Sequence, residues 1–153
     1  MSALVSRVAQ VPVDGRQSET ALIVARGYAL SRRSTTAAWL APEVSEKAVV
    51  LGDSMGEMAM YYASCDVAYI GGSLLPLGGQ NLIEACAVGV PVVVGPHTFN
   101  FAQATDDAVA TGAARRVGDS RSAVDAMRDI ATQPERRSRM GDAATMFARQ
   151  HRG

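Results

Sequence analysis

Along the chain, short continuous apolar runs alternate with stretches whose apolar positions recur at helical spacing. Ser2–Ala9 reads as a weak strand. Gly15–Arg26 reads as a helix with Ala21, Leu22 and Ala25 on one face, and Tyr28–Arg32 as a short strand followed by a small, polar loop over Ser31–Ala38. Lys47–Leu51 predicts a buried strand, Gly56–Ser64 a helix and Val67–Ile70 a second buried strand. The next helix spans Asn81–Val88. Gly89 closes it and Pro91 prevents it from continuing. Val92–Val94 is a strand of branched residues, Phe101–Thr111 a helix and Ala113–Val117 a strand. Two helices, Ser120–Thr132 and Pro134–Gln150, end the chain, with Pro134 suited to a first helical turn, where its missing N–H costs nothing.

Continuous apolar strands separated by helices imply an α/β fold: a parallel sheet of about six strands with helices on both faces. The 153 residues suit one domain, 1–153, in which 119–153 supply the C-terminal helices. In such folds ligands bind beyond the carboxyl ends of the strands, so chemistry is expected in the strand-to-helix loops Gly52–Gly56, Gly71–Gln80 and Gly95–Asn100.

Composition narrows this only slightly. Acidic and basic residues balance at 15 each, which argues against a broad nucleic-acid surface. Cys65 and Cys86 fit no metal spacing and read as small buried thiols. The sequence shows neither a signal peptide nor an apolar run long enough to span a bilayer, so a reducing, cytoplasmic setting is expected.

The loop Gly71-Gly72-Ser73-Leu74-Leu75-Pro76-Leu77-Gly78-Gly79-Gln80-Asn81 leaves a strand and enters a helix. Its four glycines permit close backbone approach, and the helix start would direct N–H groups at an anion. A flexible connection is the plainer alternative, but glycine pairs at both ends favour a phosphate or carboxylate site. The sequence is neither a Walker A loop nor Gly-x-Gly-x-x-Gly. Asn81 and Glu84, three residues apart, share a helical face. Glu84 suits either acceptance of two ribose hydroxyls or capping of its own helix. In Gly95-Pro96-His97-Thr98-Phe99-Asn100-Phe101, His97 and Asn100 are secondary polar candidates. No nucleophile or second metal ligand accompanies the histidine. Ser54 and Glu57 have capping-box spacing, and Met55 sits at the tip of its loop.

Taken together, Gly52-Asp53-Ser54-Met55-Gly56-Glu57, the Gly71–Glu84 segment and Gly95–Phe101 resemble, in order and spacing, the transferases of 3-deoxy-manno-octulosonic acid (Kdo). That resemblance, firm from about Lys47 to Gly118, implies the C-terminal half of a GT-B glycosyltransferase, with a Rossmann-like sheet. It implies an inverting, metal-independent enzyme without cofactor. The donor would be CMP-Kdo and the acceptor a lipid A precursor, in lipopolysaccharide synthesis at the cytoplasmic face of the inner membrane. Met55, Gly71, Gly72, Ser73, Gly79, Gln80, Asn81 and Glu84 would line the CMP-sugar site, with Arg7, His97 and Asn100 as further candidates. Another GT-B transferase or epimerase, or a degenerate nucleotide-binding module, are the alternatives.

Departures from the family pattern carry their own expectations. Gln80 stands where the family shows histidine and Ala85 where it shows proline, and Ser6-Arg7-Val8 replaces its Arg-His-Pro segment. The acceptor domain, which would carry the general base and face the membrane, is not in this sequence. No catalytic residue is therefore assigned to this chain, and no turnover is expected from it alone. Arg136, Arg137, Arg139, Arg149 and Arg152 form a basic cluster that could meet anionic lipid, with pairing to Glu135 and Asp142 the favoured reading. Met140, Phe147 and neighbouring alanines are expected to be exposed, as a patch favouring self-association.

Overall fold

The computed structural model describes residues 16–35 and 48–151. The expected strand at Ser2–Ala9 and the candidate Arg7 lie outside them. The elements run α1 (Arg16–Ala25), β1 (Ala29–Arg32), β2 (Ala48–Leu51), α2 (Met58–Ala63), β3 (Ala68–Tyr69), α3 (Ile83–Ala87), β4 (Val92–Val94), α4 (Ala102–Ala110), β5 (Ala114–Arg116), α5 (Ser120–Thr132) and α6 (Pro134–Gln150). Single 3-10 turns follow β1 at Arg33–Thr35 and precede α4 at Phe99–Phe101.

All strand pairing is parallel. β1 pairs with β2, with Ala29 opposite Ala48, and β4 lies between β3 and β5, with Val92 opposite both Ala68 and Ala114. The five strands among the described residues thus form sheets of two and three. Pleat alternation gives the three-stranded sheet two apolar faces. Ala68, Ile70, Val92 and Val94 point to one, where Tyr62, Leu82, Ala85, Cys86, Ala108, Ala144, Phe147 and Ala148 pack. Val67, Val93 and Val117 point to the other, which Ala123, Ala126, Ile130 and Ala131 of α5 cover. This covering of both faces is why Val92, Val93 and Val94 are all fully buried.

Punctuation residues act as the sequence suggests. Gly89 closes α3 at φ +75°, and Pro134 occupies the first turn of α6. Ala21, Leu22 and Ala25 lie in α1 as expected and are exposed, while Thr20 and Ile23 are half-buried. Two expectations need correction. Phe147 is only 1% exposed and Met140 packs against the α5 cluster, so the expected apolar patch on α6 does not exist. The reason is that α6 lies across α3 on the sheet and buries Ala144, Phe147 and Ala148 itself. Two of the clustered arginines also choose other partners, and Arg152 lies outside the described residues. Arg136 pairs with Asp129, and Arg137 with Asp66 at 3.4 Å and the Ala131 carbonyl at 2.9 Å, rather than with Glu135 and Asp142. None of the helices among the described residues is long and apolar enough to cross a membrane.

Candidate functional site

Because β3, β4 and β5 are parallel, the loops that follow them emerge at one edge. The Gly71–Gln80 loop after β3 and the Gly95–Phe101 segment after β4 are bound to each other along much of their length. Ser73 is the centre of this joint. It is fully buried. Its hydroxyl donates to the Ile70 carbonyl at 2.5 Å and accepts the Gly95 amide at 2.8 Å, while its carbonyl accepts the His97 amide at 2.9 Å. Residue 95 must be glycine, since a Cβ there would lie 2.3 Å from the Ser73 carbonyl oxygen.

Further along, Asn100 clamps the second glycine pair. Its amide N–H donates to the Gly78 carbonyl at 3.1 Å, and its side chain donates to the carbonyls of Leu77 at 3.3 Å and Gly79 at 3.4 Å. Gly78 adopts φ +91° with no room for a Cβ beside Asn100 and Phe99, and Gly79 adopts φ +71° while donating to the Gly72 carbonyl at 3.1 Å. These left-handed conformations suit glycine. The loop is therefore a fixed backbone shape and not a slack connection.

The chain leaves this loop through Gln80, which is exposed, and enters α3 through Asn81. The Asn81 side-chain oxygen accepts the Ile83 amide at 3.0 Å, and its amide group donates to Glu84 at 3.3 Å. Asn81 therefore starts the helix and orients the carboxylate with one side chain. This displaces the start of regular helix from the expected Asn81 to Ile83. Glu84 does not cap its own helix; it projects at the surface of the first turn. Tyr62 of α2 lies beneath, and burial, with the nearby Glu84 charge adding, pushes its phenol up to about 12.

The structure thus gathers Gly71, Gly72, Ser73, Gly79, Gln80, Asn81 and Glu84 in one loop and helix start, with His97 and Asn100 in the adjoining segment. It gives Ser73 and Asn100 internal bonding duties. Met55, on the β2–α2 loop, is 97% exposed and projects into solvent.

That loop differs from expectation. Ser54 and Glu57 bond side chain to side chain, with the Tyr61 hydroxyl joining them, and Glu57 is itself the residue preceding α2, without a capping bond. So α2 begins at Met58 and not at Gly56. The spare carboxylate oxygen of Glu57 accepts from Arg33 at 2.9 Å, and Asp53 accepts from the Ser34 amide at 2.9 Å and hydroxyl at 2.7 Å. The Ser54 hydroxyl holds the Glu57 carboxyl below its ordinary range, as the Ser34 hydroxyl does for Asp53. Sequence reasoning passed over Arg33 and Ser34. Their signal was a pair of arginines directly after a strand, at the same end as the other loops.

Among the described residues no group of three or more His, Cys, Asp or Glu could hold a metal ion. Cys86 is fully buried, which pushes its thiol up to about 12. A depression of about 500 Å³ lies at the opposite edge, where β3 and β4 begin, lined by Asp66, Gly89, Arg137 and Gly141 among others and by none of the candidate residues.

Comparison with known proteins places the chain by family and fold. A 3-deoxy-D-manno-octulosonic acid transferase of Bordetella pertussis is 50% identical over 133 residues, covering 87% of this chain and 30% of that protein. A 3-deoxy-D-manno-octulosonic acid transferase of Haemophilus influenzae is 37% identical over 106 residues, 69% of this chain and 25% of that protein. The chain thus spans about a third or less of these relatives. The crystal structure of the C-terminal CMP-Kdo binding domain of WaaA from Acinetobacter baumannii superposes with a TM-score of 0.75 at 28% identity, covering 93% of this chain and 72% of that one. The fold is accordingly that of a GT-B C-terminal domain. Residues 18–147 match the model of the family described as glycosyl transferases group 1, and the chain belongs to that family.

Proposed function

We propose that this chain binds CMP-Kdo as the donor domain of a Kdo transferase acting on a lipid A precursor in lipopolysaccharide synthesis. The observation that carries the reading is the Asn81–Glu84 pair at the exit of a rigid glycine loop, in a fold shared with the Acinetobacter domain named for CMP-Kdo binding. Glu84 accepts from the two ribose hydroxyls, which are charge-assisted bonds worth about 1.5–3 kcal/mol each. Asn81 holds the carboxylate toward them. Backbone N–H groups of the Gly71–Gln80 loop face the phosphate, where a small, fixed backbone can approach closely. His97 is the adjacent polar group, and Met55 lies toward the base. Arg7 is carried as a further candidate on the family resemblance alone.

Transfer itself needs the acceptor and a general base held in line with the donor. In this reading those groups belong to a facing domain that associates with the inner membrane at its cytoplasmic side. Donor binding needs no metal or cofactor. This chain alone binds donor without transferring Kdo, and Kdo transfer by the purified 153-residue chain would refute that part.

The test is a titration of the purified chain with CMP, followed by amide shifts, with UMP as comparator and Glu84→Ala as control. Half a cleft is expected to bind at roughly millimolar Kd, about −4 kcal/mol. Saturable CMP binding, stronger than UMP and lost in the variant, is the expected result. A folded chain that binds neither nucleotide, even with the facing domain supplied, would overturn the reading.

A further inference from the structure

We propose that Arg116 is a positioning residue for the nucleotide site, acting from the carboxyl end of β5 through Thr98. The proposal extends the donor-binding reading and rests on it for its functional consequence.

The Arg116 guanidinium donates to the Thr98 hydroxyl at 3.2 Å and to Asp106 of α4 at 2.8 Å. Thr98 is buried. It lies in the middle of the segment that holds the glycine loop: the Phe101 amide donates to its carbonyl at 2.9 Å, closing the turn that presents Asn100. Asn100 in turn clamps the Gly78 and Gly79 backbone. A Cβ on Gly79 would lie 3.7 Å from the Thr98 Cα and 3.5 Å from the His97 carbonyl, so this segment forms the wall against which Gly79 rests. Gly79 leads directly into Gln80, Asn81 and Glu84. Arg116 is therefore linked to the ribose-facing pair through one turn and one clamp, although it lies two strands away from β3.

The placement also explains why an arginine serves here. Both bonds leave one terminal nitrogen, Nη2, whose two N–H groups serve a hydroxyl on one element and a carboxylate on another at once, and the delocalised guanidinium keeps that nitrogen a donor at any working pH. Thr98 is a buried residue whose hydroxyl gains a donor from Arg116, and Asp106 fixes the guanidinium in the orientation that supplies it. The Arg116 side chain is still 37% exposed. Its removal is thus expected to cost the fold little, as for most exposed ion pairs, while loosening the wall of the site.

The test uses Arg116→Met, Arg116→Lys, Thr98→Val and the Arg116→Met/Thr98→Val double variant in the 153-residue chain. Amide hydrogen exchange is measured without nucleotide, and CMP affinity by amide shifts. Arg116→Met is expected to raise exchange at Asn100 and Gly79 by threefold or more, leaving α5 and α6 amides unchanged, and to weaken CMP binding by threefold to tenfold. Arg116→Lys should recover part of both effects. The double variant should be no worse than the stronger single one, because both remove the same link. Unchanged exchange at Asn100 and Gly79 in Arg116→Met, or fully additive single effects, would overturn the proposal. If the unsubstituted chain bound no CMP even with the facing domain supplied, the donor reading would fail, and the exchange measurement would still decide whether Arg116 holds this wall.

Discussion

The Ser73 hydroxyl and the Gly95 amide meet at 2.8 Å, and this bond ties the loop after β3 to the loop after β4. Both residues are buried. Ser73→Ala would leave the Gly95 N–H without a partner, at about 1–3 kcal/mol. Gly95→Ala would press a methyl group against the Ser73 carbonyl, 2.3 Å away, at the upper end of the roughly 1–3 kcal/mol typical of overpacking. Urea unfolding would measure both. A serine whose hydroxyl served only a ligand would give no loss in the ligand-free protein.

Phe147 provides a second test, on the apolar core. It is 1% exposed, between α3, α4 and the sheet, whereas Met146 beside it is 62% exposed. Phe147→Ala is expected to cost about 3–5 kcal/mol, and Met146→Ala to stay within about 0.5 kcal/mol. Comparable small losses at both sites would mean that α6 is not seated on the sheet.

These two cases separate what a sequence discloses from what it withholds. Periodicity, Gly89 and Pro134 are local signals, so strand and helix order could be read directly. The helix starts predicted at Asn81 and Gly56 fall two residues early because side-chain turns at Asn81 and Ser54 occupy those positions. The burial of Phe147 and the pairing of Arg137 with Asp66 depend on α6 crossing distant elements, which no window of sequence contains. Gly141 shows the same limit. Inside a helix it looks like a weakness of about 1 kcal/mol, yet a Cβ there would lie 2.7 Å from the Gly89 carbonyl. At the site, glycine spacing marked the loop, but the sequence could not say which polar groups face inward; hence Ser73 and Asn100 read as ligand-facing and Arg116 went unnoticed.

Acid sensitivity follows from three carboxylates. The Ser122 amide, with its hydroxyl, holds Asp119 below its ordinary 3.8, and serine hydroxyls similarly lower Asp53 from 3.8 and Glu57 from 4.5. A lowered folded-state value means that each group stabilises the fold above its ordinary value and loses that contribution as pH falls through the folded one. Stability should therefore hold down to about pH 4.5 and decline below it as these groups protonate. Asp119 caps α5 reciprocally with Ser122, so Asp119→Ala should lower stability at neutral pH. Asp119→Asn should keep most of the cap while removing its share of the acid decline. Thermal unfolding between pH 3 and pH 7, values chosen to bracket roughly these carboxylate ranges, would check both; an acid decline as steep in the asparagine variant would contradict the assignment.

Gln80 allows the site itself to be probed by pH. It is exposed between Gly79 and Asn81, where the Kdo transferase pattern has histidine. A glutamine amide donates and accepts but cannot become cationic. Gln80→His places there a group that titrates near pH 6.5. If phosphate binds in the glycine loop, it favours the charged imidazole and raises that value. Binding must then strengthen as pH falls through the histidine range. A rise of one unit would give about a tenfold gain in affinity across that range. The phosphate of CMP loses its own second proton near pH 6, so the ratio of variant to unsubstituted affinity at each pH is the quantity to follow. A ratio that climbs as pH falls from about 8 to about 5 places the phosphate beside residue 80. A flat ratio, with CMP still bound, places it elsewhere along the loop, closer to Gly71 and Gly72.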